Sequence, residues 1–210
     1  AIREVDAVLF LLRDFSDENI IRSGSVSPKE DLEILRMELE LADLDAKEKV
    51  NILAKKPALI VYNTDEDKLG GEGLPAGRQG LRICAKMEEE LASLSEADAA
   101  EYLKQLGIEK TGLEKVIQKA YEILDLQSFL TAGVKEVRAW TIRRGSTALT
   151  AAGVIHTDFM KNFIKADVIN WEDFVSLGGW VPAREAGKVQ TVGRDYVMQE
   201  GEVVEFKVGV

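Results

Sequence analysis

PALIVYNTDED, residues 57–67, is an apolar run that stops abruptly at polar and acidic residues. Ala58 to Tyr62 are unbroken apolar positions, and Asn63 and three acids at 65–67 follow at once. A short continuous run of this kind is typical of a strand buried on both faces, as in a parallel sheet covered by helices. A second such run, Val8–Leu12, lies near the start of the chain. The sequence therefore predicts an α/β layer with a parallel sheet in the first half.

A helix is predicted between these two strands. Ser27 is a good N-cap, Pro28 suits the first helical position and Glu30 completes a capping box. Two adjoining apolar stripes follow, so the helix has a wide apolar face. A second helix restarts at about Asp45 and reaches about Ala54. We expect the pair to form a helical hairpin over about 27–55 that projects from the sheet.

The segment after the second strand begins with a loop. Five glycines and a proline lie between residues 70 and 80, which predicts a mobile, insertion-like loop. A short strand at 81–84 and three helices follow. The first helix is expected over Glu88–Ser93, while Ser95 and Thr111 are expected to cap the next two.

Charge divides the chain into two parts. Residues 1–125 contain 17 Lys and Arg against 27 Asp and Glu, so they hold the whole net charge of −10. An acidic first part argues against broad, charge-driven nucleic-acid binding there. No apolar run is long enough to span a membrane, and the single cysteine, Cys84, predicts a reducing, cytoplasmic setting.

Residues 126–210 have a different pattern. VRAWTI (137–142) alternates as a half-buried strand does, and IKADVI (164–169) is a further strand. RDYVMQEGEVVEFKV (194–208) is expected to form two strands around a Gln-Glu-Gly turn. Several short strands with one main helix in about 85 residues indicate a β-grasp roll. We place the domain boundary at 125/126.

The tetrapeptide at the end of the 58–62 strand carries the chemistry. In guanine-binding P-loop proteins such a strand ends in Asn-Lys-x-Asp, whose Asp accepts two hydrogen bonds from guanine. Here the sequence is Asn63-Thr64-Asp65-Glu66. The Lys that would lie along the base is Thr64, and the acid is the longer Glu66. The fitted acid is lost, and with it the physical reason to prefer guanine over adenine.

A second half-site follows the next strand. Guanine-binding proteins place Ser-Ala-Lys there, with backbone N–H groups against the base. Cys84-Ala85-Lys86 occupies that place in this chain. Either motif alone is weak, since Asn63 and Glu66 also suit a simple loop cap. The ordered combination of strand, N-x-x-E, strand and x-A-K favours a nucleotide-base pocket.

At this point the sequence resembles the YchF group of Obg-like, ribosome-binding ATPases. The resemblance covers nearly the whole chain, and its most specific part is KEVRAWTIRRGSTALTAAGVIHTDFMKNFIKADVI, residues 135–169. It implies part of a P-loop NTPase core of Rossmann-like parallel sheet in 1–125, with a helical insertion at about 27–55. It further implies a TGS domain of the β-grasp type in 126–210.

The resemblance also implies ligands and partners. The complete family protein uses ATP, or GTP, with Mg²⁺, and acts at the ribosome in translation or stress regulation. The implied partners are the ribosome and an adenine nucleotide, with neither membrane nor DNA.

Three features depart from the family pattern. First, the 210 residues contain neither a G-x-x-x-x-G-K-[ST] motif nor the Mg²⁺-binding residues. Second, the family's long coiled-coil insertion is reduced to roughly one helical hairpin. Third, the glycine-rich loop at 70–80 is additional. We therefore expect a chain that begins within a domain and has no catalytic or metal-binding residues and no nucleotide turnover of its own. The alternative is a non-enzymatic module that docks on ribosomes or RNA.

The remaining notable side chains have structural explanations. Cys84 has no histidine neighbour in sequence, and His156, the single histidine, is expected to cap a helix. The three tryptophans, at 140, 171 and 180, are expected in packing rather than in base stacking. Arg138, Arg143 and Arg144 fit either a solvated strand edge or a ribosomal RNA contact, and the sequence does not choose between them.

Overall fold

The computed structural model describes residues 2–17, 27–45, 52–69, 74, 79–133 and 136–209. The chain divides into two compact units, Ala1–Leu124 and Asp125–Val210, called unit 1 and unit 2 below. Each unit has its own sheet and its own buried clusters.

Unit 1 is built on a three-stranded parallel sheet. Its strands are β1 (Val8–Asp14), β2 (Ala58–Thr64) and β3 (Leu81–Ile83), in the order β1-β2-β3. Parallel pairing places the carboxyl ends of all three strands at one edge of the sheet. The predicted α/β layer with a parallel sheet is confirmed.

Among the described residues of unit 1, four helices accompany this sheet: α1 (Pro28–Leu44), α2 (Ala85–Ala92), α3 (Glu96–Gln105) and α4 (Gly112–Ile123). The expected N-caps are confirmed at Ser27, Ser95 and Thr111. Each of these side chains accepts the backbone N–H of the residue three positions later. The helix α2 begins three residues before the predicted Glu88. Its N-cap is Cys84, which makes no side-chain cap, so the sequence carries no start signal there.

The helix α1 packs on the sheet. Leu32, Leu35 and Leu39 lie against Phe10, Leu12 and Tyr62 on one face of β1 and β2. The first helix of the predicted hairpin therefore packs on the sheet and does not project from it. The second helix was expected largely in 46–51, outside the described residues, and Leu53–Lys55 forms only a 3₁₀ turn. The 70–80 loop also lies outside them except for Leu74, Gln79 and Gly80.

The prediction that β1 is buried on both faces is wrong. Leu9 and Leu11 are 46% and 56% exposed, whereas their partners in β2, Leu59 and Val61, are buried. The difference arises because β1 is an edge strand and α4 packs against β2 and β3. An apolar run does not reveal which of its faces the fold covers.

Unit 2 contains a mixed five-stranded sheet in the order β5-β4-β8-β6-β7. The strands are β4 (Leu126–Ala132), β5 (Val137–Arg143), β6 (Phe163–Asn170), β7 (Gln190–Val192) and β8 (Glu202–Val208). The central pair β4 and β8 is parallel, and the other pairs are antiparallel.

Helices cover both faces of this sheet. They are α5 (Ala148–Ile155), α6 (Thr157–Lys161), α7 (Trp171–Leu177) and α8 (Trp180–Glu185). One buried cluster joins α5 to the sheet around Phe129, Ile142 and Val204. Another joins α7 and α8 to the opposite face around Ile169 and Val203.

The predicted hairpin at 194–208 is half wrong. Its second strand is β8, but its first half forms only an isolated bridge between Val197 and Thr147. The carbonyl groups of Arg194 and Tyr196 instead accept the N–H groups of Leu149 and Ala148. This segment therefore satisfies the first turn of α5 and does not pair with β8.

Candidate nucleobase-binding site

The carboxyl ends of β2 and β3 border a cavity of about 540 Å³ in unit 1. This volume lies within the range of small-molecule sites, which is about 300–1,000 Å³. The cavity brings together both predicted half-sites, the one after β2 and the one after β3. It is lined by Phe15, Ser16, Asp17, Asn63, Thr64, Asp65, Glu66, Cys84, Lys86 and Glu89.

Asn63 connects the two half-sites. Its Oδ1 accepts the backbone N–H of Ala85 at 2.9 Å. Of the backbone N–H groups of 84–86 that were expected to contact a base, that of Ala85 is therefore engaged within the protein. Lys86 lines the cavity and is the second residue of α2, so its N–H has no acceptor within the helix.

Thr64 forms part of the cavity floor. Its side chain is buried, and its hydroxyl donates to the Ile83 carbonyl at 3.4 Å. It thus ties the end of β2 to the end of β3. It does not lie along a base as the Lys of Asn-Lys-x-Asp does.

Glu66 presents a carboxylate at the rim. It begins the 3₁₀ turn Glu66–Lys68 and is exposed, and its Oε1 accepts the hydroxyl of Tyr102 at 3.1 Å. Tyr102 lies on α3 and packs against the buried cluster of Cys84, Met87 and Leu91. The pKa of Tyr102 is raised, chiefly by this hydrogen bond to Glu66.

Asp65 links the segment that follows β2 to the segment that follows β1. Its Oδ2 accepts Lys68 Nζ at 2.8 Å and the Ser16 N–H at 3.4 Å, and Lys68 also donates to the Asp14 carbonyl. The Lys68 hydrogen bond is the main reason that the pKa of Asp65 is lowered. An acid whose pKa is lowered by folding stabilises the folded state above its unfolded pKa. This stability is lost as pH falls through the folded pKa. The loop contact therefore stays intact at neutral pH.

Phe15 is the aromatic residue of the cavity, and sequence reasoning missed it. It follows the end of β1, is half-buried, and has the Arg13 guanidinium 4.7 Å from its ring centroid. Aromatic side chains serve as stacking platforms for nucleobases. The available signal was its place one residue beyond β1, at the same edge of the sheet as Asn63.

Among the described residues, no group of three or more His, Cys, Asp or Glu side chains is arranged to hold a metal ion. Within the same ranges, no helix is long and apolar enough to cross a bilayer.

The three arginines proposed from the sequence, Arg138, Arg143 and Arg144, do not form a single patch. Arg138 lies over the Trp140 ring, with its Cζ 4.2 Å from the centroid, whereas alternation along β5 directs Arg143 to the opposite face. Arg144, in the turn after β5, lies 4.0 Å from Asp125 and 3.9 Å from Glu200. These two carboxylates offset part of its charge.

The capping role expected for His156 and the packing expected for Trp140 and Trp180 are confirmed. His156 caps α6, since its Nδ1 accepts the Asp158 N–H at 3.1 Å. Trp140 and Trp180 are half-buried and donate to Thr131 and to the Ala132 carbonyl, while Trp171 is partly exposed.

Comparisons with known proteins agree along the whole chain. A protein-family model described as YchF-GTPase_C, protein of unknown function (DUF933), matches residues 126–209. The ribosome-binding ATPase YchF of Haemophilus influenzae is 35% identical over 272 aligned positions, which cover 100% of this chain and 74% of the relative. The protein of the same name from Bacillus subtilis is 32% identical, with 100% and 75% covered. The aligned regions exceed the 210 residues of this chain, so the relatives have additional residues within them.

Solved structures give the same result. The YchF GTPase of Schizosaccharomyces pombe superposes with a TM-score of 0.80 at 27% identity, covering 98% of this chain and 73% of that one. A GTP binding protein from Pyrococcus horikoshii OT3 has a TM-score of 0.62 at 16% identity, covering 99% and 80%, and shows the shared fold alone. Because curated relatives above 30% identity match this chain over about three quarters of their own length, the chain belongs to the YchF family.

Proposed function

We propose that unit 1 binds the base of an adenine nucleotide in the cavity at the ends of β2 and β3. The single observation that carries this proposal is the convergence of Asn63, Glu66 and Lys86 on one cavity beside the Phe15 ring. The aromatic ring offers a stacking face, Glu66 an acceptor and the Lys86 N–H a donor. These are the groups that recognise the edge of a nucleobase.

The pattern of donors and acceptors favours adenine. The adenine edge presents one amine donor beside one ring acceptor, which an acceptor and an N–H donor can match. Guanine presents two adjacent donors and needs both oxygens of a well-placed carboxylate. Glu66 is one methylene longer than the Asp used by guanine-binding proteins, and Thr64 supplies no Lys stem along the base.

The residues that line the cavity can contact a base, but the sequence lacks the loop that binds phosphates. The 210 residues contain no G-x-x-x-x-G-K-[ST] segment, and the described ones hold no metal-ligand cluster. When ATP and Mg²⁺ are bound, the phosphates and the metal supply the reacting groups. The role of these residues is to hold and orient the base, and we assign none of them a catalytic step.

Unit 2 is proposed to be a TGS domain of the β-grasp type. In support, its strand order places the first and last strands, β4 and β8, side by side in parallel at the centre of the sheet, with a helix after the first hairpin. We propose a cytoplasmic, ribosome-associated protein in which Arg138 and Arg143 contact RNA on two faces of β5. The relatives are named ribosome-binding ATPases.

Titration with adenosine tests the base pocket. We expect the chain to bind adenosine, and we expect Asn63→Ala to weaken binding about tenfold, because the link to Ala85 and the positioning of α2 are lost. Gln105→Ala, an exposed change on α3, is the matched control and should bind as the unchanged chain does. Ligand-observed NMR measures the dissociation constants.

Equal affinity in Asn63→Ala and in the unchanged chain would contradict the pocket. A chain that ignores adenosine and still co-sediments with ribosomes would favour the second candidate, a non-enzymatic ribosome-binding or RNA-binding module. The observation that favours this candidate is that the 210 residues contain no G-x-x-x-x-G-K-[ST] segment and the described ones hold no metal-ligand cluster.

A further inference from the structure

The carboxylate of Glu66, at the rim of the cavity, is held by a hydrogen bond from another element. Its Oε1 accepts the hydroxyl of Tyr102 at 3.1 Å, across 36 residues of sequence. Glu66 itself is exposed on a short turn, whereas the Tyr102 ring is fixed against the buried cluster of Cys84, Met87 and Leu91. The orientation of the carboxylate is therefore set by a residue on a different element, α3.

The hydrogen bond changes what the carboxylate can accept. A guanine fork uses both oxygens at once, one for N1–H and one for the exocyclic amine. With Oε1 accepting from Tyr102, Oε2 is the oxygen without that hydrogen bond, and a single oxygen suits a single amine donor. The adenine N6 amine needs only that one acceptor.

We propose that Tyr102 is a specificity-determining positioning residue, which disfavours guanine by occupying one oxygen of Glu66. This inference rests on the proposed function of the cavity. Tyr102 does not touch the base in this account and acts through Glu66. The cavity lining includes Glu66 and does not include Tyr102, which agrees with that role.

The protonation state of Tyr102 is consistent with a donor role. Its pKa is raised above the ordinary value of 10.0, mainly by the hydrogen bond to Glu66. A tyrosine with a raised pKa keeps its proton through neutral and mildly alkaline pH. The hydroxyl is thus able to donate at neutral and mildly alkaline pH.

The test compares adenosine and guanosine affinities in the 210-residue chain and in Tyr102→Phe. Phenylalanine keeps the ring in its cluster and removes only the hydroxyl. We expect the preference for adenosine to fall roughly three- to tenfold, the effect of one hydrogen bond, through tighter guanosine binding. The matched control is Tyr196→Phe, which removes a tyrosine–carboxylate hydrogen bond to Glu202 in unit 2 and should leave the ratio unchanged.

The pKa of Tyr102 provides a second measurement, which a purely structural role of the ring would not alter. The ring Cζ chemical shift should report a raised pKa in the unchanged chain and a return toward 10 in Glu66→Gln. Adenosine binding with an unchanged nucleoside ratio in Tyr102→Phe, or a Tyr102 pKa that ignores Glu66→Gln, would overturn this inference alone. Failure of the unchanged chain to bind either nucleoside would overturn the proposed pocket and this inference with it.

Discussion

Replacing Phe129 by Ala is expected to lower the free energy of unfolding of unit 2 by about 3–5 kcal/mol. Phe129 is fully buried at the centre of the α5-covered cluster, and its ring meets Phe206 edge-on at 6.0 Å between centroids. The substitution removes the transfer free energy of the ring and leaves a cavity that the surrounding strands fill only in part. This loss is a large share of the roughly 5–15 kcal/mol that stabilises a typical domain.

Tryptophan fluorescence measures this effect in unit 2 alone. All three tryptophans of the chain, at 140, 171 and 180, lie in 125–210, so a urea titration followed by their emission reports on that unit. The control is Val137→Ala on the neighbouring strand β5, which is 72% exposed and should change stability by less than about 0.5 kcal/mol. A shift for Phe129→Ala no larger than that of the control would contradict the described core.

Gly80→Ala is expected to weaken adenosine binding at least about tenfold by displacing β3. Gly80 precedes β3 at φ +133°, and a Cβ built there would lie 2.3 Å from the Ile60 carbonyl oxygen in β2. Neither backbone can yield easily, because β2 and β3 pair in parallel from Val61 and Leu81 onward. Moving β3 moves Cys84 and Lys86, the second half of the pocket.

Gly107→Ala is the matched control for this substitution. Gly107 also has a positive φ, +68°, but a Cβ there would meet no atom within 4 Å. Both variants carry the backbone cost of a positive φ, and only Gly80→Ala carries the collision. Adenosine dissociation constants that change equally in the two variants would show that β3 is not held as described.

Local signals in the sequence predicted the framework of the fold. Ser27, Ser95 and Thr111 mark helix starts because their side chains satisfy backbone N–H groups of the first turn, a need that does not depend on tertiary context. The apolar runs of β1 and β2 predicted a parallel sheet, whose geometry in turn brought the residues after β2 and β3 to one edge.

Features set by tertiary contacts were missed. The helix α5, with the sequence ALTAAGVI, has no polar face, so periodicity gave no signal for it. The segment before β8 has the alternation of a strand, yet its carbonyl groups satisfy the start of α5. The exposure of Leu9 and Leu11 depends on where α4 packs, which residues 8–14 do not encode.

The candidate site divides in the same way. Asn63, Glu66 and Lys86 could be found from motif order alone, whereas Phe15 and Tyr102 could not. Phe15 reaches the cavity because β1 and β2 share a sheet edge, and Tyr102 reaches Glu66 because α3 packs beside α2. Both contacts join segments more than 30 residues apart in sequence.

We propose above that the cavity at the ends of β2 and β3 receives an adenine base. The most direct measurement is an adenosine titration of the isotope-labelled chain followed by amide NMR shifts. If adenine binds in this cavity, the largest changes occur at the Lys86 N–H, the Asn63 side-chain amide and the Phe15 backbone, and residues 125–210 are unaffected. Shifts confined to 125–210, or no shifts at saturating adenosine, would contradict it.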